Sequence, residues 1–135
     1  MKASSLMAKS PPAAGRFDAW QFVSQLIKEA TETIILIDNY IDESVLMLLA
    51  KRNPGVNATI LTGKISKQLE TDLKKHNQQY PLIELKHFSK SHDRFLIIDN
   101  KDIYHIGASL KDLGKRWFAF SKINLNPLDI ISRLT

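Results

Sequence analysis

The stretch Ser91-His92-Asp93-Arg94-Phe95-Leu96-Ile97-Ile98-Asp99 sets an imidazole and a guanidinium on either side of one residue at the head of an apolar run. Such a run reads as a β-strand. Side chains alternate across a strand, so the spacing predicts His92 and Arg94 on the same face. Together they suit a phosphoryl group: Arg offers a forked donor to two phosphate oxygens, and His serves as nucleophile or proton carrier near neutral pH. Asp99 stands where the run stops, and Asn100-Lys101-Asp102 reads as the turn beyond it. After the next strand, Gly107-Ala108-Ser109 forms a small-residue bend at which the backbone can approach a ligand closely.

Each of these residues also has a plain structural reading. A lone His beside an Arg is ordinarily a surface or satisfied residue, and the Asp99 spacing and the Gly107 bend are what favour a site. His105, between Tyr104 and Ile106, either lines the same cleft or serves strand packing, with packing the simpler reading. Asp38-Asn39-Tyr40 ends an earlier strand. Polar groups there can reach a ligand crevice, Asn39 among them, although a turn leading into a helix, which Asp and Asn also favour, is the simpler reading. Lys115-Arg116-Trp117-Phe118-Ala119-Phe120 interleaves cations with aromatics, which suits either single-strand stacking or core and dimer contacts. Gly63-Lys64 is too short a signal for a phosphate loop, and the charges from Lys67 to Lys75 read as a solvated helix face.

The elements that must position these groups follow from periodicity. Residues 1–16, rich in Ser, Ala and Pro, read as a flexible leader or linker, and residues 17–135 as one domain. From Asp18 the apolar positions Ala19, Phe22, Val23, Leu26, Ile27 and Ala30 follow helical spacing. Thr33-Ile34-Ile35-Leu36-Ile37 is a nearly continuous apolar run, as in strands buried on both faces. Asp42 or Ser44 opens a second helix, halted by Asn53-Pro54-Gly55. Ala58–Leu61 reads as a strand, Ser66 caps a third helix, and Leu82–Leu85, Phe95–Ile98 and Ile103–Ile106 read as three further strands. The alternation predicts a layered α/β domain with helices packed on a mixed sheet.

Composition narrows the function classes. The chain has 135 residues, no cysteine and a formal net charge of +5. Without cysteine it has neither disulfides nor thiolate metal sites, which suits a reducing cytoplasm. No run of about eighteen apolar residues exists, so no membrane-spanning helix is expected. The basic excess gathers between Lys64 and Arg94, around the His92 motif, and favours a polyanionic partner.

His92, Arg94 and Asp99, followed by Gly107 and Ser109, resemble the phospholipase D superfamily, whose motif is His-x-Lys, four residues, Asp and then a Gly-Ser-x-Asn segment. The resemblance covers residues 17 to about 122 and implies a phospholipase D-like fold with a mixed β-sheet flanked by helices. It further implies a metal-independent, cofactor-free phosphodiesterase, with His92, Arg94 and Asp99 as catalytic residues and Gly107, Ser109, Lys111, His105 and Asn39 around the substrate. The family mechanism needs two copies of the motif: one His attacks phosphorus and the other protonates the leaving oxygen. This chain has one copy, so the resemblance implies a homodimer with His92 facing its symmetry mate. Asp99 is then expected to orient the site or to fix the turn beside it. Two departures stand out. Arg94 replaces Lys, a wider planar group for a point charge, and the Gly-Ser segment has no Asn. The expected activity is therefore a nuclease-like phosphodiesterase acting on nucleic acid in the cytoplasm. The alternative is a non-catalytic or weakly catalytic phosphate-binding module of a dimeric regulatory or mobile-element protein. Action on phospholipid is a third reading, disfavoured because no amphipathic membrane-binding stretch is evident.

Overall fold

A computed structural model describes residues 16–112, 120–123, 126, 129 and 132. Six described strands form one mixed sheet in the order β3-β2-β1-β4-β5-β6. Helix α1 (Arg16–Glu29) leads into β1 (Thr33–Ile37), and α2 (Glu43–Leu49) and α3 (Lys67–Gln79) connect β1 to β2 (Asn57–Thr62) and β2 to β3 (Ile83–His87). These three strands run parallel. The chain then returns to the other side of β1, where β4 (Arg94–Ile98), β5 (Asp102–Ile106) and β6 (Phe120–Ile123) form an antiparallel meander. The sheet therefore changes character between β1 and β4, and the candidate motif begins β4.

The helices begin where short polar side chains can occupy free backbone amides. Asp42 caps α2 by accepting from the Ser44 N–H, and Ser66 caps α3 by accepting from the Leu69 N–H at 3.0 Å. Apolar residues of all three helices close over one face of the sheet, joining Ile34, Leu36, Ala58, Ile60, Leu96, Ile98, Tyr104 and Ile106 in the main core. Each fully buried Leu or Ile there stabilises the fold by about 1.5–3 kcal/mol. A smaller cluster of Ile37, Ile97 and Ile103 occupies the opposite face, with Ile35 and Phe95 partly buried beside it.

Two buried polar groups near α3 carry no sequence signal. The Arg52 guanidinium donates to the carbonyls of Leu49, Val56, Pro81 and Leu82, stapling the loop after α2 to the loop before β3. His76, next to the Lys67–Lys75 charges, is buried and stacks on Tyr80 with ring centroids 4.8 Å apart. Burial and the Arg52 charge both push its pKa down, so the ring is held neutral.

The observed elements follow the periodicity closely, with three differences. Helix α1 starts at Arg16, one residue inside the expected leader; the rest of that leader lies outside the described residues. The turn after β4 is centred on Asp99 and Asn100, both with left-handed φ (57° and 52°), and Lys101 N donates to Ile98 O across it. A sixth strand, β6, lies where the cation–aromatic stretch ends; residues 113–119 lie outside the described residues.

Candidate phosphate-binding site

Arg94 is the first residue of β4, and its side chain lies on the helix-covered face beyond the last layer of core residues. Antiparallel pairing sets Ile37 opposite Phe95, which brings Asp38, one residue on, beside Arg94. Asp38 is fully buried and Arg94 is 28% exposed, with Nε 3.7 Å from Asp38 Oδ1. Ser109 joins the pair: its hydroxyl accepts from Arg94 Nε at 3.1 Å and donates to Asp38 Oδ1 at 2.8 Å. The N–H groups of Tyr40 and Leu110 also donate to the Asp38 carboxylate, at 3.0 and 2.9 Å. Burial pushes the Asp38 pKa up, against the opposing pull of Leu110, Tyr40, Ser109 and the Arg94 charge.

The result is an oriented guanidinium. Its Nε faces inward, and among the described residues no hydrogen bond falls on its two terminal nitrogens. It opens into a cleft of about 300 Å³, lined also by Tyr40, Gly107, Ser109, Lys111 and Asp112. Lys111 Nζ is 3.2 Å from Asp112 Oδ1. A forked donor with free terminal N–H groups beside an ammonium can receive two oxygens of one phosphate.

The structure thus brings Arg94, Gly107, Ser109 and Lys111 together and places the other candidates elsewhere. His92 is not on the strand. It occupies an exposed bend before β4, because Ser91 Oγ donates to Asp93 O at 2.9 Å and holds the chain in a local turn. Alternation across a strand therefore does not relate His92 to Arg94, and among the described residues no hydrogen bond holds the imidazole. Asn39 acts one step back from the cleft. Its side chain donates to Ser91 O and accepts from Gly63 N–H, both at 3.0 Å, tying the loop that carries His92 to the end of β2. Gly63 is required by that clasp, since a Cβ there would lie 2.7 Å from Asn39 Oδ1.

His105 belongs to the other side of the sheet. It pairs with Phe95, not with Arg94, and its ring meets Phe95 edge-on while Nε2 lies 3.4 Å from Asp93 Oδ1. A residue one register off Arg94 cannot share its face.

Asp99 lies at the far end of β4, five strand residues or about 17 Å from Arg94 at ~3.3 Å per residue. Its carboxylate accepts from the N–H groups of Thr31, Glu32 and Thr33, at 2.7 to 3.1 Å, and from the Thr31 hydroxyl. Partial burial alone raises its pKa, but the amides of Glu32, Thr31 and Thr33 and that hydroxyl outweigh it, and the net direction is down. Asp99 was expected to orient the site or to fix the turn beside it; instead its carboxylate ties the α1–β1 connection, at the opposite end of β4 from the Arg94 cleft.

Asp38 and Tyr40, which read first as a turn into a helix, and Asp112 line or support the cleft without having been named as site residues from the sequence. A signal for Asp38 exists: an acid directly after a wholly apolar strand is either a turn residue or a buried counter-charge, and the second case requires a cation on a neighbouring strand. Among the described residues no group of three or more His, Asp or Glu side chains is placed to hold a metal ion.

No family model matches this chain, and no curated protein sequence is similar to it. Solved structures are informative. NucT from Helicobacter pylori superposes with a TM-score of 0.63 at 14% identity, covering 90% of this chain and 91% of NucT. The archaeal chromatin protein TrmBL2, whose structure shows a novel mode of DNA binding, superposes with a TM-score of 0.51 at 18% identity, covering 90% of this chain and 48% of TrmBL2. The chain has a phospholipase D-like α/β fold, the architecture that its motif resembles.

Proposed function

We propose that this chain binds the phosphodiester backbone of nucleic acid, with Arg94 as the principal phosphate contact. The observation that carries the reading is the Arg94 guanidinium, oriented from behind by Asp38 and Ser109 with its terminal nitrogens free toward the cleft. The net charge of +5 and the likeness to NucT and to the DNA-binding TrmBL2 support nucleic acid over other phosphodiesters. No described helix is long and apolar enough to cross a membrane. Lack of cysteine suits a cytoplasmic setting.

The second reading adds metal-independent cleavage by a homodimer. Its support is His92, exposed beside the cleft strand and free to meet its symmetry mate. In that reading an imidazole nitrogen of one His92 attacks phosphorus, the P–O bond to the leaving oxygen breaks, and the partner imidazole gives that oxygen its proton. Water then hydrolyses the phosphohistidine. Binding ranks first because His92 has no orienting carboxylate: Asp99 is committed to the opposite end of the strand.

Oligonucleotide binding by wild type and Arg94→Ala tests the first reading. A loss of tenfold or more is expected in the variant, and equal affinity sinks the proposal. Incubating DNA with excess EDTA, with His92→Ala in parallel, tests the second. Cleavage confined to the wild type supports it, and light scattering reports whether the chain pairs.

A further inference from the structure

Among the exposed large apolar or aromatic side chains of the described residues, Tyr40 alone lines the Arg94 cleft, with half of its surface (51%) open to solvent. Its backbone N–H donates to Asp38 Oδ1, so the carboxylate that orients Arg94 also fixes the residue that carries the ring. The charges of the cleft are unusual for a phosphate site. Arg94 has Asp38 at 3.7 Å and Lys111 has Asp112 at 3.2 Å, so each cation already faces a carboxylate. Those carboxylates offset part of the attraction for an anion. A ligand that adds an uncharged planar contact would gain from the ring.

We propose that this cleft receives one unpaired nucleotide of a single strand, its phosphate against Arg94 and Lys111 and its base stacked on Tyr40. The inference rests on the phosphate-binding reading above and names its substrate class. Every base has a π-face, so an aromatic platform beside a cation binds single strands with little regard to sequence. Bases inside a duplex are already stacked on their neighbours and cannot reach the ring. A volume of about 300 Å³ is at the small end of ligand pockets, suited to a nucleotide and too small for a helix. Phospholipid headgroups offer no planar group to Tyr40.

Calorimetric titration of the full chain separates the alternatives. The probes are a short single-stranded oligodeoxynucleotide, an abasic strand of the same length, and the corresponding duplex. Wild type is expected to prefer the base-bearing strand over the abasic one by about tenfold to a hundredfold. Tyr40→Ala should lower affinity for the base-bearing strand toward that for the abasic one and so erase the preference, and Tyr40→Phe should retain it. Raising the salt should weaken the interaction only gently, with a log–log slope near the ~0.7 per phosphate of single strands, because a single phosphate is engaged. Equal wild-type affinity for base-bearing and abasic strands overturns the inference, as does tightest binding to duplex. A Tyr40→Ala variant that weakens both strands alike assigns Tyr40 a structural role and overturns it too. In each of those cases Arg94-dependent phosphate binding still stands. Failure of all three probes to bind overturns both readings.

Discussion

The two ends of β4 each meet an aspartate, and the two carboxylates are held in opposite ways. At the Arg94 end, Asp38 is sealed from water against a guanidinium and a serine, and burial raises its pKa. At the other end, Asp99 sits among three backbone amides and the Thr31 hydroxyl, which together lower its pKa. Asp99 is thus stabilised as an anion by the fold and in return closes the turn between α1 and β1. Burial works against charge on Asp38, whereas the Leu110 and Tyr40 amides, the Ser109 hydroxyl and the Arg94 guanidinium work for it, and the carboxylate aligns that guanidinium at the cleft.

This contrast can be broken in several ways. The largest effect is expected from Asp99→Ala, which leaves three amides unpartnered and puts Ala at a left-handed φ of 57°. A loss of about 2–3 kcal/mol is expected in chemical denaturation, with Arg94-dependent phosphate binding intact in the folded fraction. Loss of that binding in folded protein would show that the two ends are coupled.

The paired amide substitutions sharpen the comparison. Asp99→Asn is expected to cost about 1–2 kcal/mol at neutral pH, whereas Asp38→Asn should change stability by less than about 1 kcal/mol. The pH dependence has opposite signs. With its folded pKa below the ordinary 3.8, Asp99 contributes stability above that pH, and the contribution disappears as pH falls through the folded value. With its folded pKa above 3.8, Asp38 contributes most below that value and less as pH rises through the folded one. Denaturation midpoints across the acid range should therefore flatten on the acid side in Asp99→Asn. An identical wild-type and Asp99→Asn profile refutes the assignment.

Gly63→Ala should cost about 1 kcal/mol by pushing Asn39 off its bond to the His92 loop. Its signature is faster amide exchange at Ser91–Asp93 with unchanged exchange around Asp99. The smallest effect belongs to His105→Ala, on the opposite face: phosphate affinity should stay within a factor of two, and a larger drop would place that face at the ligand.

Much of the architecture is readable from local pattern. The apolar run Thr33–Ile37, the caps Asp42 and Ser66, and the break at Asn53-Pro54-Gly55 each act over a few residues, and all appear where periodicity puts them. The cleft was half legible. Gly107, Ser109 and Lys111 follow one another closely and converge with Arg94. Asp38 reads first as a turn residue, since its partner Arg94 is remote in sequence and turn chemistry accounts for an Asp at that position. His92 was misplaced because a two-residue spacing implies a shared face only inside a strand, and β4 begins at Arg94, after the Ser91–Asp93 turn.

What the sequence alone determined is the set of elements and their order, because helix caps, apolar periods and turn residues are short-range causes that the chain carries wherever it folds. The strand order decided the rest. Bringing β1 beside β4 set Asp38 against Arg94 and sent Asp99 to the far end of the sheet, and pairing across distant segments is a tertiary event that no local spacing encodes.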